Sequence, residues 1–166
     1  GEMMDLQKAL QEAIKGDTEG RELYTAAAEK TADSKAKEVF QMLADEEQKH
    51  HDALVQMAKE YGQGKDLTMP QFEAPARFED AESPIFTREF KEKVSDFDMS
   101  ALSIGVKLEL ESEKFYRQMA EEAQEKEVKD LFSRLADWEK GHFEYLQKQI
   151  GFLEGYYTKK YSMFRF

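Results

Sequence analysis

The chain has 166 residues, of which 36% are charged and 40% hydrophobic, with three prolines, no cysteine and a net charge of −11. That acidity argues against a nucleic-acid backbone or an anionic membrane surface as partner, and no apolar run approaches the roughly 20 residues of a spanning helix. Without cysteine there can be no disulfide, thiolate nucleophile, zinc knuckle or iron–sulfur site.

Residues 4–31 carry Leu6, Leu10, Ala13, Asp17, Gly20, Tyr24 and Ala27 at heptad-like spacing, which predicts a first helix ending near Ala32-Asp33-Ser34. Ser34 is placed to cap a second helix, with Glu38 as a loose capping partner, and Gly62-Gln63-Gly64 stops it after Tyr61. Residues 62–97 hold all three prolines, Pro70, Pro75 and Pro84, and read as a long crossover with a short helix at about 85–94. Helix resumes near Asp98, a candidate cap, with Leu102, Val106, Glu109, Ser112, Tyr116 and Met119 inward. A fourth helix is expected over about 126–150, with Val128, Phe132, Leu135, Glu139, His142 and Leu146 inward. The domain reading is a bundle over 1–155 and an aromatic, basic tail over 156–166. No signal-peptide core opens the sequence, so a cytoplasmic setting is expected.

The short links make two antiparallel hairpins, and the long one can return along the bundle. The expected fold is therefore all-α: a four-helix bundle whose second and third helices run parallel. It is also an internal repeat. Shifting the sequence by 92 residues lays 14–50 on 106–142 without a gap and makes 12 of 37 positions identical, among them Tyr24, Phe40, Leu43, Ala44, Glu47 and His50. Asp17 falls on Glu109, an acid at both places.

Glu47-x-x-His50 and Glu139-x-x-His142 put acid and imidazole one turn apart, facing the same way, on the stripe that otherwise buries apolar residues. One E-x-x-H in an acidic helix is a common accident. Two in register, each 30 residues after an inward acid, are not. Asp17, Glu47, Glu109 and Glu139 would converge at mid-bundle beside His50 and His142. Unpaired buried charge costs several kcal/mol per ion, and no Lys or Arg lies on these stripes nearby. Protons could neutralise the acids; two divalent cations would balance four carboxylates, and the donor types suit iron, manganese or zinc. Glu113, one turn after Glu109, is a candidate extra ligand. Tyr24 and Tyr116 are expected to hydrogen-bond the ligand carboxylates. Glu19 and Glu111 read as outward, His51 as an edge residue and Trp138 as packing.

At these residues the sequence resembles the rubrerythrin branch of the ferritin-like superfamily, over roughly residues 4–150. The resemblance rests on the two E-x-x-H motifs, the acid seven residues before Tyr24 and Tyr116, and the long crossover. It implies a di-iron or mixed-metal centre on Asp17, Glu47, His50, Glu109, Glu139 and His142, with Glu113 or Glu111 as the seventh acid. It also implies a peroxidase using hydrogen peroxide, in oxidative-stress defence, and a homodimer. Three features depart from the family: Asp17 stands where Glu is usual, the third-helix acids are spaced E-x-E-x-E, and the sequence has no rubredoxin-like cysteines. The electron donor would then be a separate, rubredoxin-like protein. Iron handling by ferroxidase activity with dioxygen, and a metal-binding scaffold without catalysis, are the competing readings.

Overall fold

The computed structural model describes residues 5–68 and 96–162. Four helices account for nearly all of them: α1 (Leu6–Lys30), α2 (Ser34–Gly62), α3 (Asp96–Glu122) and α4 (Lys126–Ser162). No strand occurs among the described residues, and no described helix is long and apolar enough to cross a membrane. The short helix expected at 85–94 and most of the crossover lie outside the described residues.

The helix ends follow local chemistry. Asp5 caps α1, its side chain accepting from the Lys8 N–H. Asp33, not Ser34, caps α2: its carboxylate accepts from the Ala36 N–H at 2.8 Å. A charged acceptor at a helix N-terminus makes the stronger bond and favours the macrodipole, so the cap falls one residue earlier than expected. After Gly62 the Gln63 N–H still reaches the Lys59 and Glu60 carbonyls, and Gly64 turns the chain at φ +80°, a left-handed geometry suited to glycine. Helix α3 starts at Asp96, which leaves Asp98 buried within the first turn instead of capping it.

The largest departure is α4. Expected to end near 150, it runs on to Ser162, so its 37 residues span about 55 Å against about 44 Å for the 29 of α2. The expected separate tail over 156–166 is helical as far as Ser162. Ile150 and Leu153 pack against the same apolar cluster as Val39 and Leu146, and that burial carries the helix past Gly151, whose intrinsic cost is about 1 kcal/mol.

Gln7 Nε2 donates to the Ala58 carbonyl and Arg21 to Gln48, so α1 and α2 are antiparallel. Tyr24 meets Glu109 while Gly16 faces Ser112, so α1 and α3 are antiparallel too. It follows that α2 and α3 run parallel, as a long return crossover requires.

Each helix passes from one apolar cluster to another through a polar layer. One cluster holds Tyr24, Phe40, Leu43, Leu102 and Leu146; the other holds Leu10, Leu54, Tyr116, Phe132 and Leu135. Residues related by the 92-residue repeat land in opposite clusters: Phe40 against Phe132, Leu43 against Leu135, Leu10 against Leu102. The repeat is therefore a pseudo-two-fold whose axis crosses the layer between them.

Candidate metal centre

That layer contains Asp17 on α1, Glu47 and His50 on α2, Glu109 on α3, and Glu139 and His142 on α4, none more than 4% exposed. Their side-chain donor atoms form two groups. Glu47, Glu109, Glu139 and His142 lie within 4.8 Å of one another, as do Asp17, Glu47 and His50. Glu47 belongs to both. One contact crosses between the groups, His50 Nδ1 lying 3.8 Å from Glu139; within the first group His142 Nδ1 is 3.7 Å from Glu109. The two imidazoles are nearly parallel, with ring centroids 5.5 Å apart.

The electrostatics are those of acids crowded out of water. Burial, together with the charge of Glu109, pushes Glu47 and Glu139 well above the usual carboxylate range. Burial pushes Asp17 up to about 8, with a hydrogen bond to Glu47 opposing and the charge of Glu109 adding to the rise. Burial would also raise Glu109, but hydrogen bonds with Glu139 and His142, then the charge of His142, hold it down to about 2. His50 is lowered to about 3, first by burial and then by the charge of His142 beside it, so its ring is neutral and donor-competent at ordinary pH.

Among the described residues the ion pairs of the four acids involve His50 and His142 alone. The cations nearby are engaged elsewhere: Lys49 with Glu46, Arg117 with Glu113 and Asp137. Asp17 Oδ2 is buried with no hydrogen-bond partner among the described residues, an orphan acceptor of the kind native interiors rarely tolerate. Four carboxylates, two imidazoles, a shared glutamate and an orphan oxygen fit a pair of divalent cations.

Glu113 stands apart. It is half-buried, 3.7 Å from Arg117, and belongs to neither group. Four residues beyond Glu109 is 40° further round the helix, enough to aim it away. Glu19 and Glu111 are exposed, and His51 sits at the edge, 3.2 Å from Asp52. Tyr24 donates to Glu109 at 3.3 Å, whereas Tyr116, equally buried, makes no such bond to Asp17. Both phenols are pushed well above their usual range, chiefly by burial.

Two contributors were not read from the sequence in these roles. Trp138 stands edge-on to both imidazoles, with ring centroids 4.8 Å from His50 and 5.2 Å from His142; its place beside Glu139 and four residues before His142 was the signal in the sequence. Gly105 makes room for Tyr24. A Cβ there would lie 2.6 Å from the phenol oxygen. Gly105→Ala is therefore expected to displace Tyr24 from Glu109 and to destabilise the fold by about 1–3 kcal/mol despite alanine's better helix propensity. Chemical denaturation of the variant checks this; unchanged stability would show that Tyr24 yields freely.

A cavity of about 220 Å³ opens between α1 and α3, lined by Gly16, Ser112 and Tyr116 among others, with Glu12, Glu19, Glu111 and Lys15 at its rim. Its walls include Gly16 beside Asp17 and Leu108 beside Glu109, and none of the six donors.

The family model described as Rubrerythrin matches residues 8–150. Among the curated proteins none matches the chain. Among solved structures the chain is similar to the hypothetical protein Pfu-1136390-001 from Pyrococcus furiosus, at 28% identity and a TM-score of 0.63, with 92% of each chain covered.

Proposed function

The chain belongs to the rubrerythrin family, and from that premise we propose that it is a di-iron carboxylate redox protein that reduces hydrogen peroxide. Its electrons would come from a separate donor of rubredoxin type. A cytoplasmic homodimer acting in oxidative-stress defence belongs to the same reading. The observation that carries it is the pair of buried donor groups joined through Glu47.

Two ferrous ions held there would supply the two electrons that cleave an O–O bond. The residues do the rest. Glu47 would be shared by the two positions, with Asp17 and His50 on one side and Glu109, Glu139 and His142 on the other. Tyr24 holds one oxygen of Glu109 through its hydroxyl and so fixes that carboxylate's orientation. Burial of all six donors keeps bulk water from the cluster and strengthens every charge interaction within it.

The test is anaerobic loading with ferrous iron, followed by rapid mixing with peroxide or with dioxygen. Oxidation about tenfold or more faster with peroxide is expected. Faster oxidation by dioxygen would instead make the protein a ferroxidase. Two bound cations that neither oxidant touches would make it a scaffold.

A further inference from the structure

We propose that Trp138 is the entry point for the reducing electrons: a one-electron donor protein meets its half-buried ring, and each electron crosses the indole to the imidazoles of His50 and His142 and so to the centre. This rests on the di-metal redox reading above.

The entry point stands where the two halves of the repeat differ. The 92-residue shift lays Glu46 on Trp138 and Lys49 on Gly141. On α2 the first two residues close over one another: Glu46 is buried, and Lys49 lies 3.2 Å from its carboxylate. On α4 the same two positions hold an indole and no side chain at all. Gly141 is exposed, one turn on from Trp138 along the same side of the helix, and a Cβ placed there would meet nothing within 4 Å. Trp138 itself is half-buried. Where α2 carries an ion pair, α4 therefore leaves part of an aromatic ring to solvent.

The buried part of that ring reaches the centre. Its centroid is 4.8 Å from that of His50 and 5.2 Å from that of His142, so one π system is in contact with an imidazole of each donor group. The six donors are at most 4% exposed, which keeps a protein partner from touching any of them directly. Tyr24 and Tyr116, the phenols beside the acids, are buried as well. Trp138 spans the layer that they do not. Encounters between electron-transfer partners need little area, so a ring edge beside a bare helix turn can be the centre of one.

The electron count closes without chemistry at the indole, which is a path and is neither oxidised nor reduced overall. Two donor molecules each lose one electron, and two ferric ions become ferrous. Those two electrons, with two protons from solvent, then take one peroxide to two waters.

The test mixes the iron-loaded, oxidised chain with reduced rubredoxin, which is too large to enter the bundle, or with dithionite, a small reductant, and reads the ratio of the two reduction rates. Trp138→Leu is expected to lower that ratio at least about tenfold, and Trp138→Phe, which keeps a smaller ring, by less. Gly141→Gln, which lays a side chain beside the indole, should lower the ratio while metal content and the rate of oxidation by peroxide stay those of the parent. A readout independent of turnover is acrylamide quenching of Trp138, the only tryptophan in the chain: the metal-free parent should be quenched, and Gly141→Gln should lose part of that quenching. A ratio unchanged in Trp138→Leu, or emission that acrylamide does not reach, would overturn the entry point and leave the peroxidase reading in place. A parent that dithionite reduces and rubredoxin does not would remove both the donor and its route. Ferrous-loaded protein that peroxide fails to oxidise would instead sink the reading beneath them.

Discussion

Replacing Glu47 with alanine is expected to empty both cation positions at once. Among the described residues Glu47 is the one side chain that lies with Glu109, Glu139 and His142 on one side and with Asp17 and His50 on the other. Its removal takes a donor from a group of four and from a group of three. Loss of an outer hydrogen-bonding partner alone weakens metal sites by about 10–100-fold. Loss of a ligand common to both should exceed the upper end, about a hundredfold or more at each position. The fold should survive. A Cβ on Gly20 would lie 3.2 Å from the Glu47 carboxyl carbon, so this glycine is what makes room for the carboxylate, and in the variant a buried acid pushed well above its usual range is no longer forced into the interior. Glu47→Ala should therefore melt cooperatively in the metal-free state, close to the parent. Elemental analysis after dialysis, alongside cobalt quenching of Trp138 emission, measures the loss. Two cations per chain retained in this variant would show that Glu47 is not the bridge.

Why Glu47 could be picked out beforehand, and Trp138 could not, shows what kind of information a sequence carries. Glu47, His50, Glu139 and His142 interrupt an apolar stripe at a fixed helical phase, and burial of charge is so costly that an interruption repeated 92 residues on needs a reason. The antiparallel hairpins follow from link length, and the parallel α2 and α3 from the long return. Trp138 meets His142 as an i, i+4 neighbour on its own helix, but its contact with His50 depends on how α2 and α4 approach, a distance between elements that no periodicity encodes. Gly105 is similar: one glycine in a helix is a mild cost until the ring of Tyr24 is found against it. Glu113 lies outside both donor groups for the opposite reason. Its spacing from Glu109 satisfied the one-turn rule, but 40° of rotation and the attraction of Arg117 settle where a long side chain points. The end of α4 was misjudged because aromatic and basic residues after 150 resemble a tail, while Leu153 is completely buried against the core and holds the helix in place.

The metal-free protein is expected to lose stability as pH rises from 6.5 to 8, and bound cations to reverse that trend. In the unfolded chain Asp17 has its ordinary value of 3.8, and Glu47 and Glu139 theirs of 4.5, so all three are ionised above pH 6. In the fold Asp17 keeps its proton up to about 8, and Glu47 and Glu139 are raised as well. The native state therefore binds more protons than the unfolded state across this window, and stability falls with rising pH by about 1.4 kcal/mol per pH unit for each acid that stays protonated. His50 acts with the opposite sign but lower down: unfolded, it takes a proton below its ordinary 6.5, whereas the buried ring resists until about 3, so its contribution is lost as pH falls through that range. Glu109, held at about 2, contributes stability above 4.5 that disappears as pH drops toward 2. Between 6.5 and 8 His50 opposes by at most about half a proton, at the lower end, while the raised acids hold more than that, so stability falls as pH rises. Cations bind the deprotonated carboxylates and expel these protons, so their affinity, and the stability they confer, grows with pH. Thermal melts with and without cobalt at pH 6.5, 7.25 and 8 should show two curves diverging, the metal-free one descending. Parallel curves would mean that the acids are already ionised in the empty fold, and neutralisation by cations could no longer be the reason that four carboxylates share the interior of this bundle.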